Sequence, residues 1–152
     1  MATFALTGYD GLTINEKPII HDLADGSVIE IQYQNDRVGV STGKDGNTIF
    51  ADNRQGNNAV LNLRVLRGTP TDRYLNGLSA EQNKDFVAFD LLRGAFAKRI
   101  GDGKGNVSFD TYTLLGGAFQ RYPDVSENNQ GETEQGVTIY QIIFADVSRA
   151  IA

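Results

Sequence analysis

The side chains that most often carry out chemistry are scarce in this chain. Of 152 residues one is histidine and none is cysteine. Without cysteine there is no disulfide framework, no thiolate nucleophile and no cysteine-ligated zinc, which fits synthesis in a reducing cytoplasm. His21 supplies a single imidazole, too little for a histidine metal cluster and at most one base of a Ser-His-Asp arrangement; at a strand end it reads as an ordinary hydrogen-bonding histidine. The run Gly101-Asp102-Gly103-Lys104-Gly105-Asn106-Val107-Ser108 superficially resembles a phosphate loop. It lacks the spacing and the Lys-Ser/Thr ending of one, and Ser108 stands where a dinucleotide fingerprint needs glycine or alanine. It fails as a calcium loop too, with Lys104 at the third position and Thr113 at the twelfth, where a glutamate belongs. A hairpin turn is the simpler reading. Asp90 and Asp110 can be neighbours across that hairpin, but a catalytic carboxylate pair needs a pocket around it. None is signalled, so a solvated face is expected.

Composition narrows the function classes further. A formal charge of −5 argues against gripping nucleic acid phosphates, since such domains are usually basic. Hydrophobic residues make up 40%, and no apolar run approaches the roughly 20 residues of a membrane helix, so the chain is neither disordered nor membrane-spanning. The start "MATFALTGYDG" has no basic region and no long apolar region, so no secretory signal is expected, and the Asn106-Val107-Ser108 acceptor motif is a chance match. One domain over residues 1–152 is expected. No cofactor or metal is expected, and no enzyme.

The elements are mostly strands. "AVLNLRV", residues 59–65, alternates, with Ala59, Leu61, Leu63 and Val65 on one side and Asn62 and Arg64 on the other. Gly68 permits a sharp exit into a helix over about 69–84, with Thr69 as N-cap, Pro70 at the first position and Asp72 near the free N–H groups. Tyr74, Leu75 and Leu78 form its apolar stripe, and Phe86 is expected to fold back under it. A lone amphipathic helix among strands must plug a sheet's open end or one of its faces. "LTINEKPII", residues 12–20, begins as an alternating strand, and Pro18 suggests an edge or an early stop. "VIEIQYQ", residues 28–34, alternates cleanly, Ile29, Ile31 and Tyr33 against Glu30, Gln32 and Gln34, one face in the core and one wet.

A polar connection runs from 36 to 58, with a small hairpin (Val38 to Ser41 against Thr48 to Ala51) around "GKDGN". Ile49 and Phe50 stand in it as an apolar island that packs either on its own domain or on another subunit. Loops of this length are usually functional or mobile. Residues 90–100 favour a strand over a competing helical reading, hairpinned through "GDGKGN" to "VSFDTYTLLGG". A second polar loop, 123–136, holds Asp124, Glu127, Glu132 and Glu134 and no base, and is read as partner-facing or simply solubilising. The last strand, "VTIYQIIFADV", is apolar on both faces, hence central or covered by another subunit. Many wet strand faces and no active site suit a protein that contacts copies of itself.

The stretches "NLRVLRGTPTDRYLNGL", "GDGKGNVSFDTYTLLGGAF" and "GETEQGVTIYQIIF", in order after "LTINEKPIIHDLADGSVIEI", resemble the tail tube proteins of contractile-tailed bacteriophages. The resemblance spans about residues 5–151 and rests on order and spacing rather than on one diagnostic motif. It implies a mainly β fold, two packed antiparallel sheets in a sandwich or small barrel with one flanking helix. It implies hexameric rings stacked into a hollow tube, a conduit for DNA from capsid to host that does not bind DNA specifically. Sheath, baseplate and tail-terminator proteins would be partners, and the virion the destination after assembly in host cytoplasm. The long loop would reach an adjacent ring, making Lys44, Asp45, Ile49, Phe50, Asp52 and Arg54 contact candidates. Glu30, Gln32 and Gln34 are candidates for a wet or lumen face. Two other readings stay open: a tube protein of a bacterial injection apparatus, which shares this architecture, and a monomeric β-sandwich binding module.

Overall fold

The computed structural model describes residues 5–6, 11–19, 29–52, 57–125 and 137–151. In chain order these form β1 (Ala5–Leu6), β2 (Gly11–Ile14), β3 (Lys17–Pro18), β4 (Ile29–Tyr33), β5 (Val38–Thr42), β6 (Thr48–Asp52), β7 (Ala59–Leu66), α1 (Pro70–Lys84), β8 (Leu92–Gly101), β9 (Val107–Phe119), β10 (Asp124–Val125) and β11 (Val137–Ile151). The architecture is mainly β with one flanking helix. Nine strands share one antiparallel sheet in the order β3-β2-β8-β9-β11-β7-β4, with β1 added to β8 and β10 to β11; β5 and β6 form a separate two-stranded ladder.

The sandwich expectation takes a particular form. Its two halves are joined in one open sheet, because β11 changes partner along its length. Val137 to Phe144 pair with β7, and Ile142 to Ile151 pair with β9. A strand shared this way links the β8–β9 side of the sheet to the β7–β4 side. β11 has a strand on both sides over Ile142 to Phe144 and, through β10, at Thr138 and Ile139; Tyr140, Ile142 and Phe144 are buried on one face, and Ile139 and Ile143 are half-buried on the other. The register of β8 on β9 shifts between Leu92 and Gly94, and β9 absorbs the extra residue at Gly116, whose φ of +68° suits glycine.

The core lies where the curled sheet meets α1. Leu12 and Ile14 of β2, Leu61 and Leu63 of β7, Leu75 of α1 and Phe144 of β11 are all fully buried there. The helix begins as its residues dictate. Thr69 is extended at φ −74°, ψ 165°, its hydroxyl accepts from Asp72 N, and Pro70 opens the first turn. Leu75 is buried, Leu78 is partly buried against the core, and the Tyr74 hydroxyl donates to Ile14 O at 3.3 Å. Gln82 clamps the other end, donating to Phe119 O at 3.0 Å and accepting from Phe119 N at 2.7 Å.

One expectation becomes specific and two are corrected. Residues 12–20 begin as strand β2 and stop early: the chain reverses at Asn15 and Glu16, both at positive φ (52° and 69°), so β3 folds back on β2 with Ile14 opposite Lys17. Two successive positive φ values make the tight turn that matches strand twist. Asn15 Oδ1 accepts from Arg93 N at 3.1 Å and Glu16 pairs with Arg93 at 3.2 Å, holding the turn against β8. Phe86 does not fold under the helix; it is exposed, and Phe89 packs against the core instead. Asp90 and Asp110 are not cross-strand neighbours, since Asp110 faces Lys98. The strand reading of 90–100 holds as β8.

Candidate assembly surfaces

No catalytic constellation gathers among the described residues. No group of three or more His, Cys, Asp or Glu there is placed to hold a metal, and His21 lies outside them. The Gly101–Ser108 turn is chemically closed. Asp102 accepts from Lys104 N at 2.7 Å, Asn106 N at 3.2 Å and Asn106 Nδ2 at 2.8 Å. These bonds, the Asn106 side chain foremost, hold its carboxyl below the usual range. Two N–H groups of the turn, those of Lys104 and Asn106, are spent on that carboxylate. Asp110 is likewise engaged, accepting twice from Arg149 at 2.8 Å in a bidentate pair that lowers its pKa. The Arg149 guanidinium also lies 5.7 Å from the Tyr112 ring.

What the fold does present is surface. The β5–β6 hairpin pairs Val40 with Phe50, Ser41 with Ile49 and Val38 with Asp52. Its turn is closed by Gly43 N to Asn47 O at 2.8 Å and Asn47 Nδ2 to Asp45 Oδ2 at 2.7 Å, with Gly46 at φ +86°. Every residue from Val38 to Asp52 is exposed. Alternation sets Val38, Val40 and Phe50 on one side and Ile49 and Ala51 on the other. Phe50 is 72% exposed, Ile49 68% and Val40 62%, so neither Ile49 nor Phe50 joins a satellite core of its own chain. Lys44 and Asp45 sit at the tip and Asp52 at the base.

The sheet is open at several places. Among the described residues β4 is an end strand, paired with β7 alone. Among the described residues, β7 starts at Ala59 opposite Phe144, so from Ala145 onward β11 has a ladder partner on the β9 side alone. Val147 N turns to the opposite side and donates to Asn57 O at 3.0 Å. By alternation Arg149 and Ile151 turn their backbone groups the same way. A cavity of about 490 Å³ lies there, lined among others by Tyr33, Arg37, Val147 and Arg149. The Tyr33 hydroxyl closes one wall, donating to Val147 O at 3.2 Å, and burial pushes its pKa up so that it stays a donor.

Two wet sheet faces are described. Glu30 and Gln32 are exposed on β4, with Gln34 just beyond it donating to Gln32 O at 3.3 Å; Glu30 stands opposite Asn62. The second face was not singled out by the sequence reading. Cross-strand register lines up Gly11, Ala97, Thr111 and Ala150 in one row and Thr13, Ala95, Thr113 and Ser148 in the next. It is four strands wide, small in relief and free of charge in these rows. The signal was present as alternating small residues at 95 and 97, 111 and 113, and 148 and 150. Of the acidic-loop candidates, Asp124 lies in β10, opposite Ile139, whereas Glu127, Glu132 and Glu134 fall outside the described residues, as does Arg54.

No protein-family model matches the chain, and no curated protein matches it in sequence. Solved structures do match in fold. One is the cap that terminates the tube of the anti-feeding prophage, with a TM-score of 0.61 and 12% identity over 100% of this chain and 95% of that one. Another is the sheath/tube terminator, in the extended state, of the extracellular contractile injection system PVC, with a TM-score of 0.54 and 12% identity over 94% of each chain. At that identity the likeness is one of fold.

Proposed function

We propose that this chain is a self-assembling structural subunit of a contractile tail, six copies closing into a ring and rings stacking into the hollow tube through which phage DNA passes. One observation carries the reading: a well-packed sheet sends out a two-stranded hairpin whose residues, Val38 to Asp52, are all exposed. An isolated two-stranded hairpin is marginally stable in water, and exposed apolar side chains at Val40, Ile49 and Phe50 favour association. The hairpin is the arm to a neighbouring ring, with Lys44, Asp45, Ile49, Phe50, Asp52 and Arg54 as its contact residues. The open edges of β4 and β11 are where strands of adjacent copies pair within a ring, which removes the unpaired backbone that an edge exposes. A polar or small-residue face toward the lumen, either Glu30, Gln32 and Gln34 or the rows through Thr111 and Thr113, lets a polyanion pass without being held. Sheath, baseplate and terminator proteins are the expected partners, the acidic loop 123–136 one contact with them, and the virion tail the location.

The fold neighbours are both named as terminators of tubes in contractile injection systems, which favours a tube-associated role and supports a second reading. In it the chain belongs to an injection apparatus, as tube or as the ring that ends it. Size-exclusion chromatography and negative-stain microscopy of the purified protein separate these. Tubes support the repeating subunit, and single rings that never stack support the terminator. A monomer at high concentration overturns both in favour of a binding module.

A further inference from the structure

Two exposed apolar patches lie at opposite ends of β8, and they are rimmed by opposite charge. At the entry of the strand, the loop after α1 is closed by Ala88 N donating to Asp85 Oδ1 and Phe89 N donating to Phe86 O, each at 3.3 Å. Phe89 turns toward the core, which leaves Phe86 and Val87 at the apex, 61% and 95% exposed. Around this knuckle stand Glu81, Lys84, Asp85 and Asp90, all exposed, three carboxylates against one ammonium. The same four side chains wall a cavity of about 380 Å³ whose apolar part is Ala88 and Phe89.

At the exit of β8 the signs reverse. Arg99 faces Phe109 and Gly101 faces Val107 across the ladder, so the three side chains share one face of the hairpin tip. Val107, Phe109, Arg99 and Lys104 are all exposed. The one carboxylate in the turn, Asp102, is committed to Lys104 N and Asn106. Ten residues of β8, roughly 30 Å at about 3.3 Å per residue, separate the patches, so one molecule cannot bring them together.

We propose that the acidic knuckle at residues 81–91 of one copy docks on the basic tip at residues 99–109 of a second copy. This rests on the self-assembly reading above and names a contact that sets its direction. The two patches differ and sit at opposite ends, so the contact is heterologous and repeats from copy to copy instead of closing on a two-fold axis. Knuckle against knuckle opposes carboxylates, and tip against tip opposes Arg99 to itself. Such like-charge encounters are suppressed, and copies add with one polarity.

The test uses the full chain in three charge-reversed forms: Arg99→Glu with Lys104→Glu, Glu81→Lys with Asp90→Lys, and all four together. Self-association is followed by sedimentation velocity and negative-stain microscopy, with a thermal melt of each form. Either single-patch reversal is expected to weaken association at least about 10-fold while the melt stays in place, because the altered side chains are exposed. Mixing the two reversed chains, or combining all four changes, restores association to near the parent level. As an independent readout, the parent associates less at about 0.5 M salt than at about 0.05 M, where screening is weaker. Reversed chains that assemble like the parent, or a four-fold form that gives no rescue, overturn the contact and leave the two patches to other occupants. A parent that stays monomeric removes the self-assembly reading itself.

Discussion

Tyr140 and Asp72 show how a single polar pair fixes the helix to the sheet. Tyr140 is 1% exposed near the start of β11, and its hydroxyl donates to the Asp72 carboxylate in the first turn of α1. Burial, with the carboxylate adding to it, pushes the phenol far above its ordinary pKa, so the proton stays to make the bond. The other Asp72 oxygen accepts from Gly68 N at 2.8 Å. A hydrogen bond to a charged group is worth about 1.5–3 kcal/mol, so Tyr140→Phe is predicted to lower stability by about that amount. The measurement is a urea titration in which the midpoint falls and the slope does not; an unchanged midpoint would show that the bond contributes nothing. Asp110 gives a pH prediction of the opposite exposure. Arg149 depresses its folded pKa, so the pair stabilises above the ordinary carboxylate pKa near 4. That contribution is lost as pH falls through the folded value. Arg149 is half exposed, with side-chain accessibilities of 51% and 14% for the pair, so solvent screening keeps the effect small. Asp110→Asn should trail the parent slightly at pH 7 and meet it at low pH. A constant gap across the acid limb would mean the difference is not ionic.

At the scale of elements, two glycines make opposite forecasts. Gly77 lies mid-helix with nothing within 4 Å of a built Cβ, so Gly77→Ala should stabilise by about 0.5–1 kcal/mol through helix propensity alone. At Gly117 a Cβ would sit 2.4 Å from Phe144 Cε1, and Gly117→Ala should cost about 1–3 kcal/mol by overpacking. Thermal melts of both, run together, check the packing of α1 and of β9 on β11; a Gly117→Ala chain as stable as the parent would contradict the latter. These elements were unequally legible in the sequence. The start of α1 could be read because Thr69, Pro70 and Asp72 act within one turn of each other. The alternation of β4 and β7 reports one buried face and needs no knowledge of the partner. The β2–β3 reversal was hidden because Asn15-Glu16 adopts positive φ without the glycine that usually announces such a turn. The sharing of β11 between β7 and β9 depends on which strands it meets, a non-local matter that periodicity does not carry. The hairpin arm was legible from "GKDGN" and its apolar island. The small-residue face became a surface only when cross-strand register aligned residues far apart in sequence.

For the whole molecule the question is whether the arm at residues 38–52 belongs to the monomer's stability or to its assembly, and Phe50→Ser separates the two. The side chain is 72% exposed and faces Val40, itself 62% exposed, on an arm whose described residues are all exposed. Removing it from the free subunit therefore withdraws little buried area. Surface substitutions of this kind usually stay within about 0.5 kcal/mol, so the melting temperature at low protein concentration should be nearly that of the parent. In an assembly the same side chain would become desolvated, and burying a phenylalanine is worth about 1.5–3 kcal/mol. A central aromatic anchor of an interface commonly costs at least about 2 kcal/mol when truncated, roughly 30-fold in association. Tube length or ring stacking should then collapse while the subunit still folds cooperatively. Thermal unfolding of the dilute protein beside tube length by electron microscopy reads both quantities from one preparation. Tubes of parental length from Phe50→Ser chains would sink the idea that the arm anchors a neighbour. A melt lowered by several degrees would instead return Phe50 to the stability of its own subunit.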